Sequence, residues 1–183
     1  MLAELRLGRL TDQARARLLD SMSYFVFDDR ESILEAIADG DLPPLDEACI
    51  TLLLEHDEPP IPVPSALEPL LLDALRFDLR RARNGYLQEE LSRLGIPCTV
   101  TGELPPSGQC PCCGFLSIDA GNDGAWDICL VCFWENGGAG PNRMSLAQAR
   151  RNFARLGARH ERHLQNVEPD GPRKYAKGPP LEP

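Results

Sequence analysis

The sequence predicts an α+β chain, with a helical N-terminal domain over residues 1–95 and a small hairpin-based domain with a C-terminal helix behind it. Three observations predict this. Residues 1–95 show apolar side chains at helical spacing between capping residues and glycine stops. Past Gly95 the texture changes to short β-branched and aromatic stretches broken by Pro and Gly. Five of the seven cysteines fall between Cys110 and Cys132, in a stretch otherwise poor in core-forming residues.

The helices come first. Thr11 caps a helix whose apolar side carries Ala14, Leu18 and Met22. Tyr24–Phe27 reads either as the end of that helix or as a short buried strand. Asp29 opens a helix with Ile33, Leu34 and Ile37 inward, stopped by Gly40. Pro43 and Pro44 suit the start of a helix carrying Leu45, Cys49, Leu52 and Leu53 to about His56. Prolines at 59, 60, 62 and 64 then interrupt regular structure. Ser65 with Glu68 reads as a capping box ahead of a stripe of Leu67, Leu70, Leu71, Ala74 and Leu75. Asn84-Gly85 interrupts this helix, which resumes through Tyr86 and Leu91 to a stop at Gly95. Ile96–Thr101 is read as extended and Pro105–Gly108 as a turn. Strands are expected at Leu116–Ile118 and Trp126–Ile128. Gly137–Gly140 reads as a loop. Ser145 caps a final helix with Leu146, Ala149, Phe153 and Leu156 on one side, closed by Gly157. Residues 96–170 form the second domain, and 171–183, rich in Pro, Lys and Gly, read as a disordered tail.

Composition bounds the function. Apolar residues are 43% of the 183, and none of their runs approaches the ~20 residues of a membrane span. The N-terminus lacks the apolar core of a signal peptide, so a cytoplasmic, membrane-free protein is expected. Net charge is −9 and uneven. Residues 1–95 hold ten basic and nineteen acidic side chains, residues 96–142 none and five, residues 143–183 nine and four. An acidic body suits a partner protein with a basic surface. Asp28, Asp29, Glu31 and Glu35, flanking one short helix, are the candidate contacts. Only the C-terminal segment, with Arg143, Arg150, Arg151, Arg155, Arg159 and Arg162, offers a basic face to nucleic acid, which is the alternative partner.

The cysteines carry the chemistry. Cys110-Pro-Cys-Cys113, fifteen residues, then Cys129-Leu-Val-Cys132 are two Cys-x-x-Cys hooks at the separation of a four-thiolate metal site. A tight turn aims both thiolates of a hook at one ion, and a hairpin brings the hooks together. Gly114 suits a knuckle that needs positive φ. One structural zinc ion on Cys110, Cys113, Cys129 and Cys132 is predicted. An iron centre would use the same ligands. Cys112 is surplus, as a spare thiol or auxiliary sulfur. Cys49 and Cys98 read as small packed residues. A Cys-Pro-x-Cys redox hook opens a helix, whereas a turn follows here. His160 and His163 read as part of a solvated tail. No catalytic constellation appears, so a non-catalytic binding role is expected.

The stretches Cys110–Ile118 and Trp126–Glu135, Asn142, Ser145–Phe153 and Gly157-Ala158 together resemble the cysteine-rich CPCC family of small bacterial proteins. The resemblance covers about residues 109–170. It implies a zinc-ribbon-like fold with a trailing helix, and accessory roles of the adaptor or toxin-immunity type. It also brings Phe133 and Trp134 into view. Both are expected to pack over the metal hairpin against Leu146 and Phe153, with Trp134 a candidate partner anchor if exposed.

Overall fold

In the computed structural model, residues 1–104, 106–119, 126–137 and 139–181 are described. The fold is α+β, and the chain divides into two compact units, Met1–Arg80 and Arg81–Pro183. Pro105 of the expected turn and Gly138 of the expected loop lie outside the described residues.

The first unit is a set of short helices around one apolar cluster. It comprises α1 (Leu2–Leu7), α2 (Asp12–Ser21), α3 (Arg30–Asp39), α4 (Glu47–Glu55) and α5 (Glu68–Leu79). The N-terminal caps follow sequence logic. Ala14 N–H donates to Thr11 Oγ1, Ser32 N–H to Asp29 Oδ1 and Cys49 N–H to Asp46 Oδ1. Gly40 closes α3 in the left-handed conformation. The stripe Leu67, Leu70, Leu71, Ala74 and Leu75 is buried, with Leu19, Ile33, Cys49 and Leu53 packed into the same cluster. Glu4 of α1 meets Arg76 of α5 at 2.8 Å.

Several expectations need correction here. Asp46 caps α4, so that helix begins after Pro43-Pro44 and not at it. Ser65–Leu67 is a 3₁₀ turn without a side-chain cap, and Pro69 sits in the first turn of α5. Leu34 faces solvent. Tyr24–Phe27 is neither helix nor strand. The Tyr24 ring is buried, with its hydroxyl donating to Asp73 at 2.7 Å, so a side-chain anchor replaces backbone regularity.

The second unit begins with α6 (Asn84–Arg93), which starts at Asn84-Gly85; the interruption before it is Arg80–Arg83. The sequence reading grouped α6 with the N-terminal helices, but its partners lie far along the chain. Tyr86 donates to Asp170, Arg83 N–H donates to Lys174 O at 2.8 Å, and Arg173 pairs with Glu89 at 3.0 Å. Residues 96–101 join no strand. The hairpin pairs β1 (Ser107–Gln109) with β2 (Leu116–Asp119), antiparallel, with a bulge at Gly108/Gln109. The predicted strand over Trp126–Ile128 is absent, and only Ile128 forms an isolated bridge, to Glu135. Behind it come α7 (Ala139–Asn142), α8 (Leu146–Leu156), a 3₁₀ segment Glu161–Asn166 and α9 (Gly171–Lys174). Ser145 caps α8 and Gly157 closes it with φ 78°.

Over residues 171–181 the expected disordered tail is instead ordered, and residues 182–183 of it lie outside the described residues. Leu116 N–H donates to Ala176 O (2.8 Å), and Gly178 N–H to Gly114 O (2.9 Å). Tyr175 is buried in the cysteine-containing cluster. One aromatic anchor and a run of backbone pairs outweigh the Pro- and Gly-rich composition. Among the described residues no helix is long and apolar enough to cross a membrane.

Candidate metal centre

Two backbone turns of the same design build the site. In the first, Gly114 N–H donates to Cys110 O (2.9 Å) and Cys110 N–H to Phe115 O (2.9 Å). In the second, Phe133 N–H donates to Cys129 O (2.7 Å) and Cys129 N–H to Trp134 O (2.8 Å). The residue after each second cysteine has positive φ: Gly114 at 80° and Phe133 at 64°. That conformation turns the chain back so both sulfurs of a hook face one point. Glycine adopts it freely, whereas Phe133 is held in it by its contacts.

The turns bring the Sγ atoms of Cys110, Cys113, Cys129 and Cys132 within 4.8 Å of one another, all four buried. Cys110 and Cys132 sulfurs lie 3.6 Å apart, those of Cys113 and Cys129 3.5 Å apart. All are free thiols. Four thiolates at ~2.3 Å from a central ion sit about 3.8 Å from one another at a tetrahedron's corners. Set, spacing and donor chemistry all fit one metal ion, and four protein ligands leave no position for substrate or water.

The thiols hold their protons unequally. Burial works against ionising Cys129. Hydrogen bonds from the Cys110, Cys113 and Cys132 thiols and the Ser117 hydroxyl overcome it and put the Cys129 pKa well below the usual thiol value. Ser117 Oγ is 3.0 Å from Cys129 Sγ, and Ser117 is itself buried. The same thiol contacts, first with Cys110, push Cys113 and Cys132 up. A metal ion takes the place of those shared protons.

The surroundings lock the turns. Arg159 N–H donates to Cys132 O at 2.7 Å, and Arg150 Nε to Pro111 O at 3.0 Å. Asn142, fully buried, spans both backbone groups of Glu135: its Nδ2 donates to Glu135 O (2.7 Å) and its Oδ1 accepts from Glu135 N–H (3.0 Å). Arg81 donates to Ser117 O (3.0 Å) and pairs with Asp119 (2.7 Å).

Cys112 is buried beside the site but outside the four-sulfur set. Trp134 is 3% exposed and packed in the cluster with Leu146 and Phe153, so it is a core residue and not a partner anchor. Phe133 instead stacks on His163, with ring centroids 4.6 Å apart. His160 caps the 3₁₀ segment and is exposed, as expected, whereas His163 within that segment is half-buried. Their Nδ1 and Nε2 accept from Arg162 N–H and Arg162 Nε respectively. Asp28 and Asp29 precede α3 and Glu31 and Glu35 lie on it, all four exposed, in the first unit. Sequence reasoning missed Ser117 and placed Arg159 only on a basic face. The first occupies an inward position of β2, and the second is masked by the arginines around it.

Residues 108–174 match the family model described as cysteine-rich CPCC. No curated protein and no solved structure matches the chain.

Proposed function

We propose that this chain is a non-catalytic protein-binding module, of the adaptor or immunity type, whose second unit is stapled by one structural zinc ion. Zinc suits a closed tetrathiolate site because it brings no redox chemistry to a position that only holds chain segments together. The observation that carries the binding role is the charge of the first unit. Met1–Arg80 has seven arginines, no lysine and seventeen carboxylates. Asp28, Asp29, Glu31 and Glu35 place exposed acidity before and along α3. Such a field speeds encounter with a basic protein surface and repels phosphate backbones.

The alternative partner, nucleic acid, is less well supported. Of the six arginines between 143 and 162, Arg159 is buried and Arg150 is bonded to a backbone carbonyl of the first turn. The experiment is a stoichiometric pull-down from the native host at two salt concentrations. One protein partner is expected, with association slowed by reversing the charge of Asp28, Glu31 and Glu35, and slowed less at high salt. Recovery of RNA or DNA, lost on replacing Arg151 and Arg155, overturns the reading.

A further inference from the structure

Arg159 is a buried cation with no carboxylate in ion-pair contact among the described residues. It is 4% exposed. One guanidinium nitrogen donates to Asn142 O (3.0 Å) and Asn142 Oδ1 (2.7 Å), both neutral acceptors. Its Nε is buried with no hydrogen-bond partner. Among the described residues, no carboxylate forms an ion pair with it within 4.0 Å. Removing an unpaired charge from water costs several kcal/mol even after relaxation, and a fold keeps such a group only when something compensates it. Arg159 is anchored at the second turn, with its N–H on Cys132 O at 2.7 Å and its guanidinium carbon 5.8 Å from the Phe133 ring. Burial first, and the Arg162 guanidinium second, oppose its charged form, while the Glu135 carboxylate and then the Cys132 and Cys112 sulfurs favour it.

The metal centre has the complementary problem. Four thiolates around a divalent ion carry a net charge of −2, buried in the same cluster. We propose that Arg159 is the counter-ion of the loaded metal centre, a positioning residue whose buried positive charge offsets the excess thiolate charge and lowers the energy of the fully deprotonated ligand set. This rests on the reading of Cys110, Cys113, Cys129 and Cys132 as a metal site. It explains two features that are costly separately: a guanidinium buried with no carboxylate in ion-pair contact, and a dianionic cluster buried without an exposed face. Asn142 then has a second task beyond bridging Glu135, because its carbonyl groups aim the guanidinium.

The test uses the full chain loaded with zinc or cobalt(II). Arg159→Met removes the charge and keeps the length, and Arg159→Lys keeps the charge and loses the fork. Competition with a chromogenic chelator is expected to show metal affinity falling about 10- to 100-fold in Arg159→Met, the usual effect of losing a partner outside the ligand shell. Arg159→Lys should recover most of that loss. In the cobalt form, the sulfur-to-metal charge-transfer band should move to lower energy in Arg159→Met, since thiolates stripped of a nearby positive charge give up electrons more readily. A packing role would leave that band in place. Equal affinity loss in both variants with an unmoved band overturns the proposal in favour of a structural peg. Should Arg159→Met not fold, the wild-type protein still decides. The Arg159 Nε–H proton resonance is expected to shift on replacing zinc by cadmium, and an unmoved resonance overturns the proposal. Failure of the wild-type chain to bind any metal is a separate result, and it removes the metal centre itself.

Discussion

Cysteines at 112 and 129 are both buried, yet their replacement by serine should have opposite consequences. Cys129 is one of the four clustered sulfurs, while Cys112 packs beside them. Structural zinc contributes on the order of 10 kcal/mol to the folding of small domains at neutral pH. Cys129→Ser is therefore expected to abolish stoichiometric zinc and the near-ultraviolet signal of Trp134. Cys112→Ser should retain both, as elemental analysis and circular dichroism will show. Loading has a proton signature too. Because Cys113 and Cys132 hold their protons tightly in the thiol cluster, the ion must displace both, and affinity falls as pH falls. The logarithm of the dissociation constant should change by at least about two per pH unit below neutrality, since every ligand thiol still protonated there adds one. Cys49 behaves differently. Burial first, and Asp46 second, push its pKa from 9.0 to about 11. The folded state binds that proton more tightly, so this contribution is intact below pH 9.0 and is lost as pH rises towards about 11. Urea titrations of the first unit's helical signal across that window should show a larger drop in midpoint for wild type than for Cys49→Ala.

At the scale of elements, the two turns are near copies that the sequence disguises. Gly114 announces its positive φ, and Gly114→Ala is expected to cost about 1 kcal/mol through backbone strain, read as a lowered unfolding midpoint of the loaded protein. Phe133 occupies the equivalent place, and no rule of composition assigns an aromatic residue to the left-handed region. The caps at Thr11, Asp29 and Ser145 were legible because a side-chain oxygen three residues before an amide is a local matter. The four ligands were legible because metal geometry restricts spacing. The C-terminal strap was not. Its composition is that of a linker, and its order depends on Tyr175 reaching a cluster that begins at Cys110, far earlier in the chain. Tyr175→Ala should show this dependence. Losing a buried aromatic costs about 3 kcal/mol or more. Beyond general destabilisation, the variant should release zinc to a chelator faster, because residues 176–179 pair with Leu116, Gly114 and Gln109 over the first turn.

At the scale of the whole molecule, charge and chemistry divide along the chain. The first unit has its own apolar cluster, running from Ala3 to Leu75, and the clustered cysteine ligand set lies outside it. The second has a cluster in which five of eleven buried members are cysteines. So small an apolar core gives little stability unaided, and metal ligation supplies the difference. Sequence periodicity located the change of texture near Gly95 but not the partners of α6, because Tyr86–Asp170 and Arg83–Lys174 are pairings across more than 80 residues. A strong chelator at neutral pH should therefore remove the near-ultraviolet signal of Trp134 and expose all five clustered cysteines to alkylation. Helical ellipticity from α2 to α5 should persist, and Cys49 should stay unreactive until urea is added. The two units would then melt at separate temperatures, the lower transition moving with zinc concentration and the upper one not. One shared transition that loses α2–α5 as soon as the metal is removed would show instead that the first unit's stability depends on the second.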